Sequence, residues 1–510
     1  MTARDARPAE PSVTATTTGT TRTATSVRRG DIVLRPDSGR VVTRLFLPGQ
    51  ELLPDGVSRA DVVLQRIVAL TDEQVDATLA VTLESFGSRH RELRATFVEN
   101  FALVAHRLPD GAEPSAARRE LIGAYSTQEY AVEAAALFNP SMVAHPDQTG
   151  LAAGELRFVM SVRAVGEGHV SSVEFRTGTV GPGDHLHVDD PGRDVVAGRS
   201  TSAVMSRDFV RDVLSARADA PLADHVLDLL PERFDAGDLS AALASVRRER
   251  LTRGSSVAAV EALRSVASGN YQLTFPLDRP LSARVLTPTS AEESHGIEDA
   301  RFTRFVGDDA TVSYFATYTA FDGARVAPRL FHTTDFATFD SAQLTGPAAQ
   351  NKGMALFPRQ VGGQFLALAR WDRESIDLAA SSDITTWHGV GTIQTPEQPW
   401  DLIQLGNCGP PLETERGWLV LTHGVGPMRT YGIGAILLDL DDPARMIGSL
   451  DTPLLTPDAE ERDGYVPNVV YSCGALVHGD TLVLPYGCSD SQIRFAFVGL
   501  SGLLDRLTAH

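Results

Sequence analysis

The sequence predicts a mainly β fold: a five-bladed β-propeller, preceded by an α-helical region and carrying a helical insertion in its first blade. Three observations lead to this. A turn–strand–gap–strand pattern recurs five times after residue 138, four of its starts lie about 53 to 63 residues apart, and the first interval is about 100 residues too long.

The chain has 510 residues, enough for a large core and more than one domain. Hydrophobic residues make up 43% and charged residues 22%, as in ordinary globular proteins. The formal net charge of -19 repels nucleic acid and anionic lipid, so neither is an expected partner, and an anionic ligand needs its own basic pocket. Cys408, Cys473 and Cys488 form no CxxC pair and are too few for a disulfide framework, which suits a reducing compartment. No apolar run long enough to span a membrane and no apolar leader segment is present, so a cytoplasmic location is expected.

Taken in order, residues 1–30 are rich in Thr, Ala, Pro and Arg and read as a disordered tail. Residues 31–137 read as mainly helical after a short extended segment containing Val33, Leu34, Val41 and Val42. Thr71 followed by Gln74 has the form of a capping box. Val75, Leu79, Leu83 and Phe86 then recur at helical spacing, as do Leu93, Phe97, Phe101 and Val104, and Ser115 to Leu137 reads as a further helix.

Residues 138–510 form the expected propeller. The recurring pattern begins at Gly154, Asp309, Gly362, Arg416 and Gly479. The surplus, residues 183–272, reads as helix. Its stripes are Ser206, Phe209, Val213 and Leu214, then Val226, Leu229 and Leu230, then Val257, Val260, Leu263 and Val266. These helical parts have apolar faces, and protruding helices offer subunit contacts, so a homo-oligomer is a further expectation.

No Walker loop, Rossmann glycine motif, GxSxG elbow or HExxH is present. His185, His187 and Asp189 have a spacing that can chelate a metal, but they sit at the edge of the insertion and no metal site is expected there. The informative segments place polar and charged residues at strand ends: FNPSM from Phe138, SVRAVGEGHVSS from Ser161, GIEDARF from Gly296, QNKGMALFPR from Gln350, LARWDRE from Leu368, QLGNCGPPLETERGWLVLTHG from Gln404, and PYGCSD from Pro485. Any one of these reads equally well as a blade turn without chemistry. Together they bring carboxylates, arginines, a lysine, a histidine and amides to one fold centre, a set suited to a sugar and an anion.

The order FNPS, EDAR, NKGMALFPR, GWLVLTHGV, LLDLDDP and PYGCSD resembles glycoside hydrolase family 130, the β-mannoside phosphorylases and related β-mannosidases, over roughly residues 138–510 outside the insertion. The helical parts resemble the longer members of that family. The resemblance implies a five-bladed propeller with a central active site and inversion at the anomeric carbon, which needs a proton donor on one face and an attacking group on the other. It places the general acid at Asp299 of GIEDARF, expected to be protonated through burial beside Glu298. In such phosphorylases the proton passes through a sugar hydroxyl. Asn139, Ser141, Arg163 and Asp490 match positions that grip the mannosyl unit, and Trp371, Trp400 and Tyr431 offer stacking faces or core packing.

The same resemblance assigns phosphate to Lys352, Arg370, His423 and Tyr431, with Arg359 and Arg429 adding charge close by in sequence. Two departures, Gln350 and Gln404 where phosphorylases carry basic residues, point the other way, and EDAR replaces the usual EDPR. If water is the nucleophile, Glu413 is the candidate base. The leading expectation is an inverting phosphorylase taking a β-mannoside oligosaccharide and inorganic phosphate to α-mannose 1-phosphate and a shortened acceptor, with no metal or organic cofactor. An inverting β-mannosidase is the alternative, and a non-catalytic glycan- or protein-binding propeller the alternative of another class.

Overall fold

Each recurring segment folds as an antiparallel hairpin, because alternating apolar strands joined by short polar turns bury one another's faces. In the computed structural model, which describes residues 27–49, 58–109, 111–215, 220–248 and 255–509, these hairpins are Leu156–Val165 with Ser171–Gly181, Val312–Phe321 with Val326–Thr333, Phe365–Ala369 with Ile376–Ser381, Gly417–Val425 with Tyr431–Leu438, and Thr481–Cys488 with Gln492–Gly499. The molecule is mainly β. Among the described residues, no helix is long and apolar enough to cross a membrane.

A further strand precedes each hairpin: Ala136–Ala144, Gly296–Val306, Ala355–Leu356, Gln404–Asn407 and Val470–Tyr471. These strands touch in turn. The Phe302 N–H donates to Ser141 Oγ at 3.0 Å, Thr303 Oγ1 to the Leu356 carbonyl at 3.1 Å, and Asn407 Nδ2 to the Gly353 carbonyl at 2.9 Å. Ser141 bridges back to Gly474, and the Cys473 N–H donates to the Pro140 carbonyl at 2.8 Å. A Cβ on Gly409 would lie 2.4 Å from the Cys473 carbonyl, so the segments just after the fourth and fifth strands meet through bare backbone.

The N-terminal part differs from expectation in three places. The disordered tail expected over 1–30 lies outside the described residues up to position 26, but Arg28–Arg29 is a strand paired with Phe497 and Ala496. The helix expected from Ser115 to Leu137 spans only Ala116–Tyr125; Thr127–Ala131 pairs with Val41–Leu45, and Ala136–Ala144 begins the first unit. The Arg44 guanidinium lies 3.4 Å from the Tyr130 ring centroid in that pair, a cross-strand contact that local helix propensity does not reveal. Phe86, expected on the buried stripe, is 40% exposed. The capping box forms as expected, with Thr71 and Gln74 exchanging side-chain-to-backbone bonds, and Val75, Leu79, Leu93, Phe97 and Leu121 share one core.

Between Ser171–Gly181 and Gly296–Val306, the first part of the surplus forms short strands, His185–Val188, Val196–Ala197 and Arg199–Ser202, rather than helix. Helices Arg207–Ser215, Ala220–Asp228, Ala236–Arg248 and Ser255–Gly269 follow, and Val210, Leu214, Val226, Leu230 and Leu263 bury into one core. Leu229 faces outward, and the side chains of Val213 and Val257 lie outside the described set.

Candidate active site

Two bulges aim the central groups. The pairing of Ala136–Ala144 shifts register between Phe138 and Ser141, and that of Gly296–Val306 between Glu298 and Arg301. Within these shifts Asn139 (φ 49°) and Asp299 (φ 55°) adopt left-handed backbone, which bulky residues avoid and functional loops often hold. Asn139 Nδ2 donates to Asp299 Oδ1 at 2.6 Å. Arg163 donates from Nη1 to the same Oδ1 at 3.0 Å, from Nη2 to Glu298 Oε1 at 2.6 Å and from Nε to Ser171 Oγ at 2.9 Å. Lys352 Nζ pairs with Glu298 Oε2.

Arg301, fully enclosed, extends the network. It donates from Nη1 to the Asp299 carbonyl at 2.8 Å, from Nε to the Cys408 carbonyl at 2.8 Å, and from Nη2 to Tyr471 Oη at 2.9 Å. Burial alone would raise the Asp299 pKa. The charges of Arg163, Arg301 and Lys352, with the Asn139 amide, outweigh it and hold the carboxyl well below the usual range. This corrects the expectation of an acid protonated through burial beside Glu298: without ligands, Asp299 is an anion among cations. Asp490, also in left-handed backbone (φ 49°), is pushed the other way. Burial and the nearby Asp299 charge outweigh Arg163 and raise it to about 6.

The second half of the site is cationic. Arg370 Nη1 lies 3.1 Å from His423 Nε2, and the His423 ring is parallel to Tyr431 (5°, centroids 6.1 Å) and edge-on to Tyr471 (61°, 4.8 Å). Burial first, then the charges of Arg370 and Arg301, hold His423 well below its ordinary value, so it is neutral and accepts from the Arg370 guanidinium. Burial and Arg301 also lower Arg370. Among the described residues no carboxylate pairs with Arg370, and its Nε is buried without a partner, as are Asn139 Oδ1 and Asn407 Oδ1. Buried polar atoms left this way are costly unless something else meets them. A Cβ on Gly406 would lie 2.6 Å from His423 and 3.0 Å from Arg370, so only glycine leaves room for that pair. Tyr471 joins the halves, touching Arg301 on one side and His423 on the other.

Asp299, Arg163, Asn139, Lys352, Arg370, His423 and Tyr431 therefore share one site, with Asp490 close enough to feel Asp299 and Arg163. Ser141 is not presented to it. The residue is 0% exposed, its Oγ accepts from the Phe302 N–H, and Gly474 packs against it, so it joins strands instead of gripping a sugar. Glu413 is also elsewhere. It pairs with Arg359 at 2.7 Å and lines a 310 Å³ cavity with Arg304. Trp371 packs against Gly389, and Trp400 against Gly424 and Gly434, both half-buried at the edge of a core. His187 lies 3.4 Å from Asp189, and among the described residues no group of His, Cys, Asp or Glu could hold a metal ion. Arg301 and Tyr471 were not singled out by the sequence. The EDAR motif contains the first, while the second lies in an apolar run that carries no signal.

The family model for glycoside hydrolase family 130, described as beta-1,4-mannooligosaccharide phosphorylase, matches residues 271–509. A 1,2-beta-oligomannan phosphorylase of Thermoanaerobacter sp. (strain X514) is 32% identical over 234 residues, 44% of this chain and 75% of that protein. A beta-1,2-mannobiose phosphorylase of Listeria innocua is 34% identical over 233 residues, 44% of this chain and 63% of that protein. The solved structure of the beta-1,2-mannobiose phosphorylase from Listeria innocua superposes with a TM-score of 0.43 at 22% identity, over 75% of this chain and 94% of that one. The chain belongs to glycoside hydrolase family 130.

Proposed function

We propose that the protein is an inverting phosphorylase that uses phosphate to cleave a β-mannoside. The observation that carries this reading is Arg370: half-buried with its Nε sealed from solvent, set against His423 and Arg301, and without a carboxylate partner among the described residues. An unneutralised guanidinium in such a place is stabilised by a bound anion, and a guanidinium fork matches phosphate oxygens. Its separation from Asp299 by Arg301 and Tyr471 suits an acid and a nucleophile on opposite faces of one sugar.

In the reaction we infer, Asn139, Arg163 and Asp490 orient the mannosyl ring, and Arg370, His423, Lys352 and Tyr431 position phosphate. A phosphate oxygen forms the bond to the anomeric carbon while the bond to the leaving oxygen breaks. The electron pair goes to that oxygen, and Asp299 supplies its proton by way of a sugar hydroxyl. The products are α-mannose 1-phosphate and a shortened acceptor. Because Asp299 is ionised in the free protein, its proton must arrive with the substrates. Phosphate entering as its monoanion brings one, and its charge offsets the cations that held the carboxyl low.

A hydrolase would need a base opposite Asp299, and Glu413 is instead engaged by Arg359, with no hydrogen bond or ion pair to Asp299, Arg163 or Lys352. This favours phosphate despite Gln350 and Gln404. We further read the ring of five hairpin units as the blades of a five-bladed propeller over 138–510, with the helices after residue 206 as an insertion in the first, and we place the enzyme in the cytoplasm. Incubation with β-1,2-, β-1,3- and β-1,4-mannobiose, with and without phosphate, tests the activity. Cleavage of at least one disaccharide only when phosphate is present supports the proposal, whereas equal cleavage in its absence overturns it.

A further inference from the structure

Beside Lys352 lies a cavity of 550 Å³ that the chemistry above does not use. It lies next to site residues along the chain: Asn351 precedes Lys352, and the Arg373 N–H donates to the Arg370 carbonyl at 3.3 Å. Lys352 Nζ stands 5.9 Å from the Phe321 ring centroid, and Arg325, in the turn that follows Phe321, lines the cavity together with Gln350, Asn351 and Arg373. Neither Arg325 nor Arg373 forms an ion pair with a described residue. Asp322, the carboxylate nearest Arg325 in sequence, accepts from the backbone N–H groups of Ala324 and Arg325. Arg373 is turned toward Asn351 by left-handed backbone at both residues (φ 74° and 62°), and its Nε donates to Asn351 Oδ1 at 3.1 Å, leaving its other donors free of any carboxylate. Gln343, only 4% exposed, also lines the cavity, and its Oε1 is buried without a partner.

Two exposed guanidinium groups without an ion pair among the described residues, and an unmet amide, border one polar cavity and suit a ligand with negative charge and hydroxyl groups. We propose that this cavity takes the leaving half of the substrate, and that this half is a sugar bearing an acidic group, either a carboxylate or a phosphate ester. The assignment rests on the phosphorolysis reading and names its acceptor class.

The test is the reverse reaction. α-Mannose 1-phosphate is supplied with mannose, glucuronate or glucose 6-phosphate as acceptor, and kcat/KM is compared for the wild type, Arg325→Ala and Arg373→Lys. An acidic acceptor is expected to exceed mannose by roughly tenfold or more, the scale of one charged hydrogen bond. Arg325→Ala should abolish that advantage and leave the rate with mannose unchanged. Glucuronate and glucose 6-phosphate separate the two sources of charge, and preference for either supports the proposal. Equal use of neutral and acidic acceptors, or indifference to Arg325→Ala, overturns it. If no acceptor reacts, mannose included, the phosphorolysis reading fails, and calorimetric titration with the two acidic sugars and with inorganic phosphate decides the cavity separately. Binding of an acidic sugar that Arg325→Ala removes supports it. Absence of such binding, or Arg325-dependent binding of inorganic phosphate alone, overturns it.

Discussion

Asn139 and Asp299 stand 160 residues apart in the chain and meet across a 2.6 Å hydrogen bond. Each occupies a bulge in left-handed backbone, so the two irregularities turn their side chains toward each other. Asn139 spends a donor on the carboxylate and keeps its buried Oδ1 for a partner such as a sugar hydroxyl. A regular strand at either position would aim the group at a neighbouring sheet face instead.

Asp299→Asn should lower kcat by roughly 10²–10⁴-fold, the scale of a lost general acid. Circular dichroism should show the fold retained. Steady-state rates with a mannobiose check this, and a variant within tenfold of the wild type would remove Asp299 from the acid's role.

The pH profile should follow the proton that phosphate carries. With the Asp299 carboxyl held low by Arg163, Arg301 and Lys352, the free enzyme offers no proton of its own near neutrality. The kcat/KM for phosphate should therefore fall as pH rises and the phosphate monoanion gives way to the dianion. A profile flat through that range, measured at fixed ionic strength, would contradict the proposed source of the proton.

Arg370→Ala should raise the KM for phosphate by roughly tenfold or more and alter the KM for mannoside far less, because a charged hydrogen bond to the nucleophile is lost. Gly406→Ala should produce a similar split, since its methyl would enter the space of His423 and Arg370. Initial rates over a two-substrate grid separate these effects. Equal loss on both substrates would mean general disruption.

Asp490→Asn should stabilise the ligand-free protein above pH 6. Burial and the charge of Asp299 raise this carboxyl to about 6. Between the unfolded value near 4 and that point, the unfolded chain releases its proton first, so stability falls as pH rises through the window and stays lowered above it. Discounted for partial exposure, the gain should be about 1–2 kcal/mol in urea unfolding at pH 7. No gain would mean that Asp490 is ionised without cost.

The recurring hairpins were legible in the sequence because alternation and turn residues are local, and so were the strand ends bearing Asn139, Asp299, Lys352, Arg370 and His423. What was hidden depended on partners distant in the chain. Thr127–Ala131 reads as helix until Val41–Leu45 is there to pair with it. Ser141 sits two positions from Asn139 yet is sealed between strands, since a bulge of one residue decides which side chain reaches the centre. The ionisation of Asp299 is set by Arg163 and Arg301, whose approach no motif spacing encodes. Glu413 looks available in sequence only because Arg359 is 54 positions away.

Phosphorus NMR of the enzyme with a mannobiose and inorganic phosphate tests the central claim most directly, because it follows the nucleophile itself. Inorganic phosphate should decline as a single α-configured mannose 1-phosphate signal grows, in proportion to disaccharide consumed. Mannose accumulating while the inorganic phosphate signal stays constant would show that water attacks the sugar, and the role assigned to Arg370 and His423 would be wrong.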